Sequence, residues 1–147
     1  METRGNKMGF VDAVKTCLSK WKTFSGRATR SEFWWFVLFG FLVNLVLTLL
    51  TMTVSGAALT AADPTDPFGP MMAIYASPLG ILMLVVGLFL LVAQLAAGSR
   101  RLHDTGKSGW WQLILLLTMI PLLGLLALIF MIYLMVQKSQ EGTNQYG

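Results

Sequence analysis

The chain has 147 residues, 55% hydrophobic and 12% charged, with a mean hydropathy of +0.65, which is too little polar surface to cover a water-soluble globule of this length. A single cysteine, Cys17, excludes an internal disulfide framework and a Cys-rich zinc site. The net charge of +4 reads as cytoplasmic-side bias of a membrane protein rather than affinity for nucleic acid.

Residues 1–32 carry seven Lys or Arg (Arg4, Lys7, Lys15, Lys20, Lys22, Arg27, Arg30) against Glu2, Asp12 and Glu32. No apolar run with a cleavage site follows the basic start, so a removable signal peptide is not expected. Within 8–25, Phe10, Val14, Cys17, Leu18 and Trp21 recur at steps of three and four, the pattern of a short amphipathic helix lying at the membrane interface. Residues 33–54 are uncharged and long enough, at roughly 1.5 Å per residue, to cross a core about 30 Å thick. They form the first predicted span, with Trp34 and Trp35 as interfacial anchors.

The stretch 55–77 holds Gly56, Pro64, Pro67, Gly69 and Pro70, two acids and no Lys or Arg. It reads as an irregular external loop. Residues 78–97 form the second span, with Pro78 in the first turn and Gly98 ending the helix. Arg100, Arg101 and Lys107 mark 98–109 as a cytoplasmic loop, which also places the amino terminus inside.

The apolar stretch 110–136 contains Pro121 and Gly124 near its middle. The preferred reading is a single span kinked at Pro121, with the tail 137–147 outside. The alternative is a re-entrant hairpin that turns at Pro121 to Gly124 and returns the tail to the inside. In the tail, Lys138 and Glu141 cancel, so charge does not decide between them. The predicted fold is an all-α membrane protein, one integral domain with three transmembrane helices, the third kinked or re-entrant, preceded by an amphipathic interfacial helix.

Three features could carry function. The run FSGRATRSEFWW sets Arg27 and Arg30 three apart, on one face if helical, with Glu32 as a partner and Trp34 beside them. Two guanidinium forks could bind a lipid phosphate or a partner's carboxylate, although positive-inside anchoring alone accounts for them. The run GSRRLHDTGKSGWW gathers Arg100, Arg101, His103, Asp104, Ser108 and Trp110. His103 and Asp104 fall short of the three or four ligands of a metal site and of a catalytic pair. An ion-paired loop tying helix ends together is the better reading, with Asp104 the natural partner of one of the arginines. Finally, Gly40, Asn44, Thr48 and Thr51 share one face of the first span, and Gln94 lies in the second. Such residues serve helix packing or line a water path, and packing is favoured because no ionisable residue lies inside a predicted span. No phosphate-binding glycine loop, HExxH helix, nucleophile elbow or CxxC occurs, and no cofactor is expected.

The blocks GRATRSEFWW, SRRLHDTGKSGWW and IPLLG and the tail NQYG, with Asn144 and Tyr146, occur in an order and spacing that resembles the bacterial domain of unknown function 805 family. The resemblance runs from about Phe24 to Gly147. It implies a small bacterial inner-membrane protein and supplies no mechanism. The chain departs from shorter members in its long Gly/Pro connection. The functional expectation is a non-enzymatic membrane protein that acts by association. It would work as a homo-oligomer or with an envelope protein partner or anionic lipid headgroups, through a basic cytoplasmic cap. The alternative is a small transporter or channel component with a polar path along the first span.

Overall fold

The computed structural model describes residues 8–60, 66 and 68–147; Arg4 and Lys7 of the basic start, and Pro64 and Pro67 of the connection, lie outside them. The described residues are helical, with no strand among them: α1 (Phe10–Ser19), α2 (Arg30–Thr60), α3 (Gly69–Ala76), α4 (Pro78–Asp104), a 3-10 helix (Gly109–Met119) and α5 (Pro121–Val136). They divide into two units, Met1–Val37 with Val92–Gly147, and Leu38–Leu91.

Two helices are long and apolar enough to cross a membrane: α2, over Arg30–Val54, and α4. Both extend beyond the predicted spans. Helix α2 begins at Arg30 because Thr29 caps it, its Oγ1 accepting from the Glu32 amide at 3.2 Å. The helix then runs to Thr60, so residues 55–60 are helical instead of loop. The short α3 also falls in the stretch expected to be irregular. Helix α4 starts at Pro78, with the Ser77 hydroxyl accepting from the Gly80 amide at 3.0 Å. It does not end at Gly98 but continues to Asp104. At about 1.5 Å per residue its 27 residues reach roughly 40 Å, more than the thickness of about 30 Å of a bilayer's apolar layer.

Helix α4 ends in a Schellman arrangement. The Lys107 amide donates to Leu102 O at 2.9 Å and the Gly106 amide to His103 O at 3.0 Å, with Gly106 in the left-handed region at φ +74°. The arginines and His103 placed in a loop by the sequence reading therefore sit on the last two helical turns.

The third apolar stretch is not one continuous helix. Pro121 drives the residue before it out of the helical region, and Ile120 is extended at φ −108° and ψ 114°. The chain folds back there: Trp111 and Phe130 have ring centroids 5.7 Å apart, whereas 19 residues of continuous helix would separate them by roughly 28 Å. Gly124 permits the turn, since a Cβ on it would stand 2.7 Å from Thr118 Cα. Eleven residues of 3-10 helix at about 2.0 Å per residue and sixteen of α-helix at about 1.5 Å give arms of roughly 22 and 24 Å. The arms match each other, and each is shorter than a bilayer core of about 30 Å. The stretch is two arms folded on each other at Ile120 rather than one continuous kinked helix.

In the first unit, Leu102, Met131, Leu134 and Met135 form a buried cluster packed by Phe33, Ile114, Leu115 and Phe130. Helix α1 docks on the start of α2 through buried Ala13 and Cys17, with the Met8 amide donating to Ser31 Oγ at 3.1 Å and Phe10 edge-on to Trp35 at 5.8 Å. It is shorter than the predicted 8–25, and protein covers its buried face, while Val11 and Lys15 remain exposed. In the second unit, Thr51 is buried and donates to Leu47 O at 2.8 Å.

Candidate functional site

One face of α4 explains the site. Ala93, Ala96, Ala97, Arg100, Arg101 and Asp104 are all buried, at the steps of three and four that align residues along a helix. Small side chains let neighbouring segments approach, and one turn later the same face carries charge. A buried guanidinium is tolerated only when paired and hydrogen-bonded, so the arginines dictate what must surround them.

Arg100 is paired with Glu32 at 2.8 Å. Its Nε donates to Ala96 O at 3.4 Å, and Nη2 lies 3.8 Å from Cys17 Sγ, which in turn donates to Glu32 Oε1 at 3.6 Å. Burial, followed by the charge of Glu32, pushes the Cys17 thiol up to about 11, so it is a neutral donor here rather than a nucleophile. Arg101, fully buried, pairs with Asp104 and Gln137 O and donates from Nε to Met135 O at 3.0 Å. It thereby occupies carbonyls left open at the end of α5.

Arg27 completes the cluster from outside any helix. Its Nε meets Asp104 Oδ1 at 2.9 Å, Nη2 donates to Gln140 O at 2.5 Å, and Nη1 donates to Gly142 O at 2.6 Å and Gly147 O at 3.1 Å. Asp104 therefore bridges two guanidiniums, and its own carbonyl accepts the Gln140 amide at 2.8 Å. Every buried side-chain nitrogen or oxygen among the described residues has a partner.

Around this cluster the tail is stitched to α4. Asn144 donates to His103 O at 2.9 Å and its Oδ1 accepts from the Tyr146 amide at 2.9 Å. Tyr146 stacks on His103 at 3.8 Å between centroids, and His103 Nδ1 reaches Gly26 O at 3.2 Å.

The structure thus brings together Arg27, Glu32, Arg100, Arg101, His103, Asp104, Asn144 and Tyr146. One feature differs from the sequence reading: Arg27 precedes α2, so it shares no helical face with Arg30, and Glu32 serves Arg100 instead. Asp104 is partner to Arg27 and Arg101, and His103 bonds to Gly26 O. Arg30 is exposed and donates to Val136 O at 3.5 Å. Ser108 caps the 3-10 helix by accepting from the Trp110 amide at 3.4 Å, and Trp34 and Trp110 are exposed.

Along the polar stripe of the first span burial varies, with Thr51 buried. Gly40 is buried and Thr48 half-buried, but Asn44 is exposed, its amide satisfied by Gly40 O of its own helix at 2.9 Å; Gln94 is half-buried. Among the described residues no group of three His, Cys, Asp or Glu could hold a metal. Sequence reasoning missed Cys17 as a member of the cluster and Gln112, which donates to Ser99 Oγ at 2.8 Å and Leu95 O at 3.1 Å. The buried face of α1 was a signal for Cys17; for Gln112 there was none.

An all-helical chain with two membrane-length apolar helices and polar ends gathered by buried ion pairs falls in the class of small helical membrane proteins. It belongs to the family described as Protein of unknown function (DUF805), whose model matches residues 21–147. It is similar to Inner membrane protein YhaH of Escherichia coli K12, with 31% identity over 137 residues, 93% of this chain and 94% of that protein. It is also similar to Inner membrane protein YhaI of the same organism, with 29% identity over 130 residues, 88% and 87% of the two chains. No solved structure matches the chain.

Proposed function

We propose that this chain is a non-enzymatic bacterial inner-membrane protein that acts by association. In this reading α2 and α4 cross the membrane, the 3-10 helix and α5 form a re-entrant hairpin, and the amino-terminal segment and tail share the cytoplasmic face. The observation that carries it is Arg27, whose guanidinium joins the segment before α2, the end of α4 and the tail. Segments bonded to one side chain lie on one side of a bilayer, and an even number of crossings follows.

Because Arg100 and Arg101 are buried, they hold the cap together rather than presenting it. The exposed cations of α1 and the segment after it (Lys15, Lys20, Lys22), with Arg30 and Lys138, are among the groups left to meet anionic headgroups or an acidic face on an envelope partner or a second copy. A transport path draws no support from Asn44, which bonds within its own helix.

Sidedness is tested by Thr143→Cys in a Cys17→Ser background, labelled in intact cells with an impermeant thiol reagent. Protection lost only on permeabilisation is expected, and labelling from outside would remove the shared cap. For association, phosphatidylglycerol enrichment around the chain is read by native mass spectrometry from mixed-lipid nanodiscs. The Lys15→Gln, Lys20→Gln, Lys22→Gln triple variant should lose that enrichment, and equal enrichment overturns the role of the lysines.

A further inference from the structure

Beside the arginine cluster, within the first unit, lies a cavity of about 570 Å³, the size of an ordinary ligand site. Its lining changes character from one end to the other. Leu95, Leu113 and the exposed Trp110 make an apolar side, and Ser99, Ser108, His103 and Gln112, whose amide nitrogen is spent on Ser99 Oγ and Leu95 O, make a polar one. Phe24 and Tyr146 add two further aromatic rings, and no carboxylate, lysine or arginine lines it.

The hydrogen bonds already made fix what remains open. Gly26 O can only accept, so His103 Nδ1 is the donor in that contact. In the neutral ring Nε2 then carries the lone pair, and it has no protein partner among the described residues. Because no buried side-chain nitrogen or oxygen among them lacks a partner, Nε2 is not sealed away. Ser108 Oγ already accepts from Trp110, which leaves its own proton to donate.

Ser99 Oγ likewise accepts from Gln112, so an apolar wall that passes into the His103 Nε2 acceptor, two open hydroxyl donors and three aromatic rings fits an amphiphile. Beside two membrane-length helices the amphiphile at hand is a phospholipid. The formal charges narrow the head: with no Lys or Arg in the lining, an anionic head would have no countercharge. An ammonium head finds both a lone pair and aromatic faces.

We propose that this cavity is a binding site for a single phospholipid with an ammonium-bearing head, its chains along Leu95 and Leu113, its ammonium at His103 Nε2 and its phosphate at the Ser108 hydroxyl. The site rests on the membrane reading above but not on the lysines assigned to anionic lipid.

His103 is the single histidine of the chain, so selective ¹⁵N-histidine labelling gives one ring to observe. The full chain in detergent is titrated with dihexanoyl phosphatidylethanolamine, with the headgroup alone as phosphorylethanolamine, and with dihexanoyl phosphatidylglycerol. A saturable shift of the His103 ring is expected with the first and none with the free headgroup at the same concentration. The Leu95→Trp, Leu113→Trp variant, which fills the apolar side, should weaken binding about tenfold. Leu113→Phe serves should the double variant lose its helical circular dichroism. The lysine triple variant should bind phosphatidylethanolamine as the wild type does, which separates failure of this site from failure of the anionic-lipid reading. An unmoved His103, or equal affinity in the filled variant, overturns the site, and an equal response to phosphatidylglycerol overturns its ammonium selectivity.

Discussion

The two units are organised by different forces. In Leu38–Leu91 exposed side chains such as Phe41, Leu45, Val46 and Leu88 dominate, and the buried positions include only Thr51 and Leu90 among the larger side chains described. In the unit holding both chain ends, three arginines and two carboxylates are buried or nearly so, and each has named partners. Apolar surface against lipid tails gains little from one arrangement over another. Directional bonds to a buried charge tolerate one geometry, and losing a partner is costly. Position is therefore specified at the polar end, while the apolar helices need mainly length and hydropathy.

The sharpest way to break this contrast is Asp104→Leu, which strands Arg27 and Arg101 together. Unfolding in detergent should show a loss of about 3–5 kcal/mol. A cost near that of a surface substitution would mean that the cluster does not organise the fold. Gly124→Val presses on the 3-10 helix backbone and should cost about 1–3 kcal/mol, with faster hydrogen exchange in the hairpin as its signature. Asn144→Ala removes the bonds to His103 O and to the Tyr146 amide, each worth about 1 kcal/mol. Limited proteolysis should then cut the tail earlier.

Cys17 sharpens the contrast only at high pH. Its thiol stays protonated in the folded chain up to about 11, against 9.0 for the free group. The unfolded chain therefore binds fewer protons between those values, and stability falls as pH rises through that window. Below pH 9 the contribution is complete. Cys17→Ser should flatten the alkaline limb of a stability–pH curve, and an unchanged limb would dissociate the thiol from the Arg100–Glu32 pair. In the other unit, Phe41→Ala and Leu45→Ala should change detergent stability by no more than about 0.5 kcal/mol each.

The helices were legible where a single physical constraint governs them. An uncharged run of membrane length has few alternatives, and both long helices contain the runs 33–54 and 78–97. Their ends were not legible, because Gly98 is a helix breaker by propensity. In the fold it sits inside α4 against the Gln112 side chain. The fold-back at Ile120 was written in Pro121, whose effect on the preceding residue is local, but a kink and a turn share that signal. Tertiary contacts such as that of Trp111 with Phe130 separate them. Asp104 was recognisable as a partner for arginines. That Glu32 would take Arg100 rather than its sequence neighbours depended on where α2 begins, a matter of one threonine hydroxyl. The carbonyls of Met135, Gln137 and Gln140 leave no trace in sequence, since every residue has one.

The cluster also imposes an order on biosynthesis. Arg101 emerges 34 residues ahead of the carbonyl that its Nε requires, and Arg27 precedes Gln140 by 113. Until the tail is made, these guanidiniums have Asp104 as a partner but lack the carbonyls of Met135, Gln137 and Gln140, and in the proposed topology both apolar helices are in the membrane before the polar end can close. Ribosomal stalling within α5 would leave an inserted chain with its charges open at the membrane surface, a state distinguishable from the finished protein by any protease that inspects that surface. Residues 140–147, which follow every other member of the cluster in chain order, act as its seal.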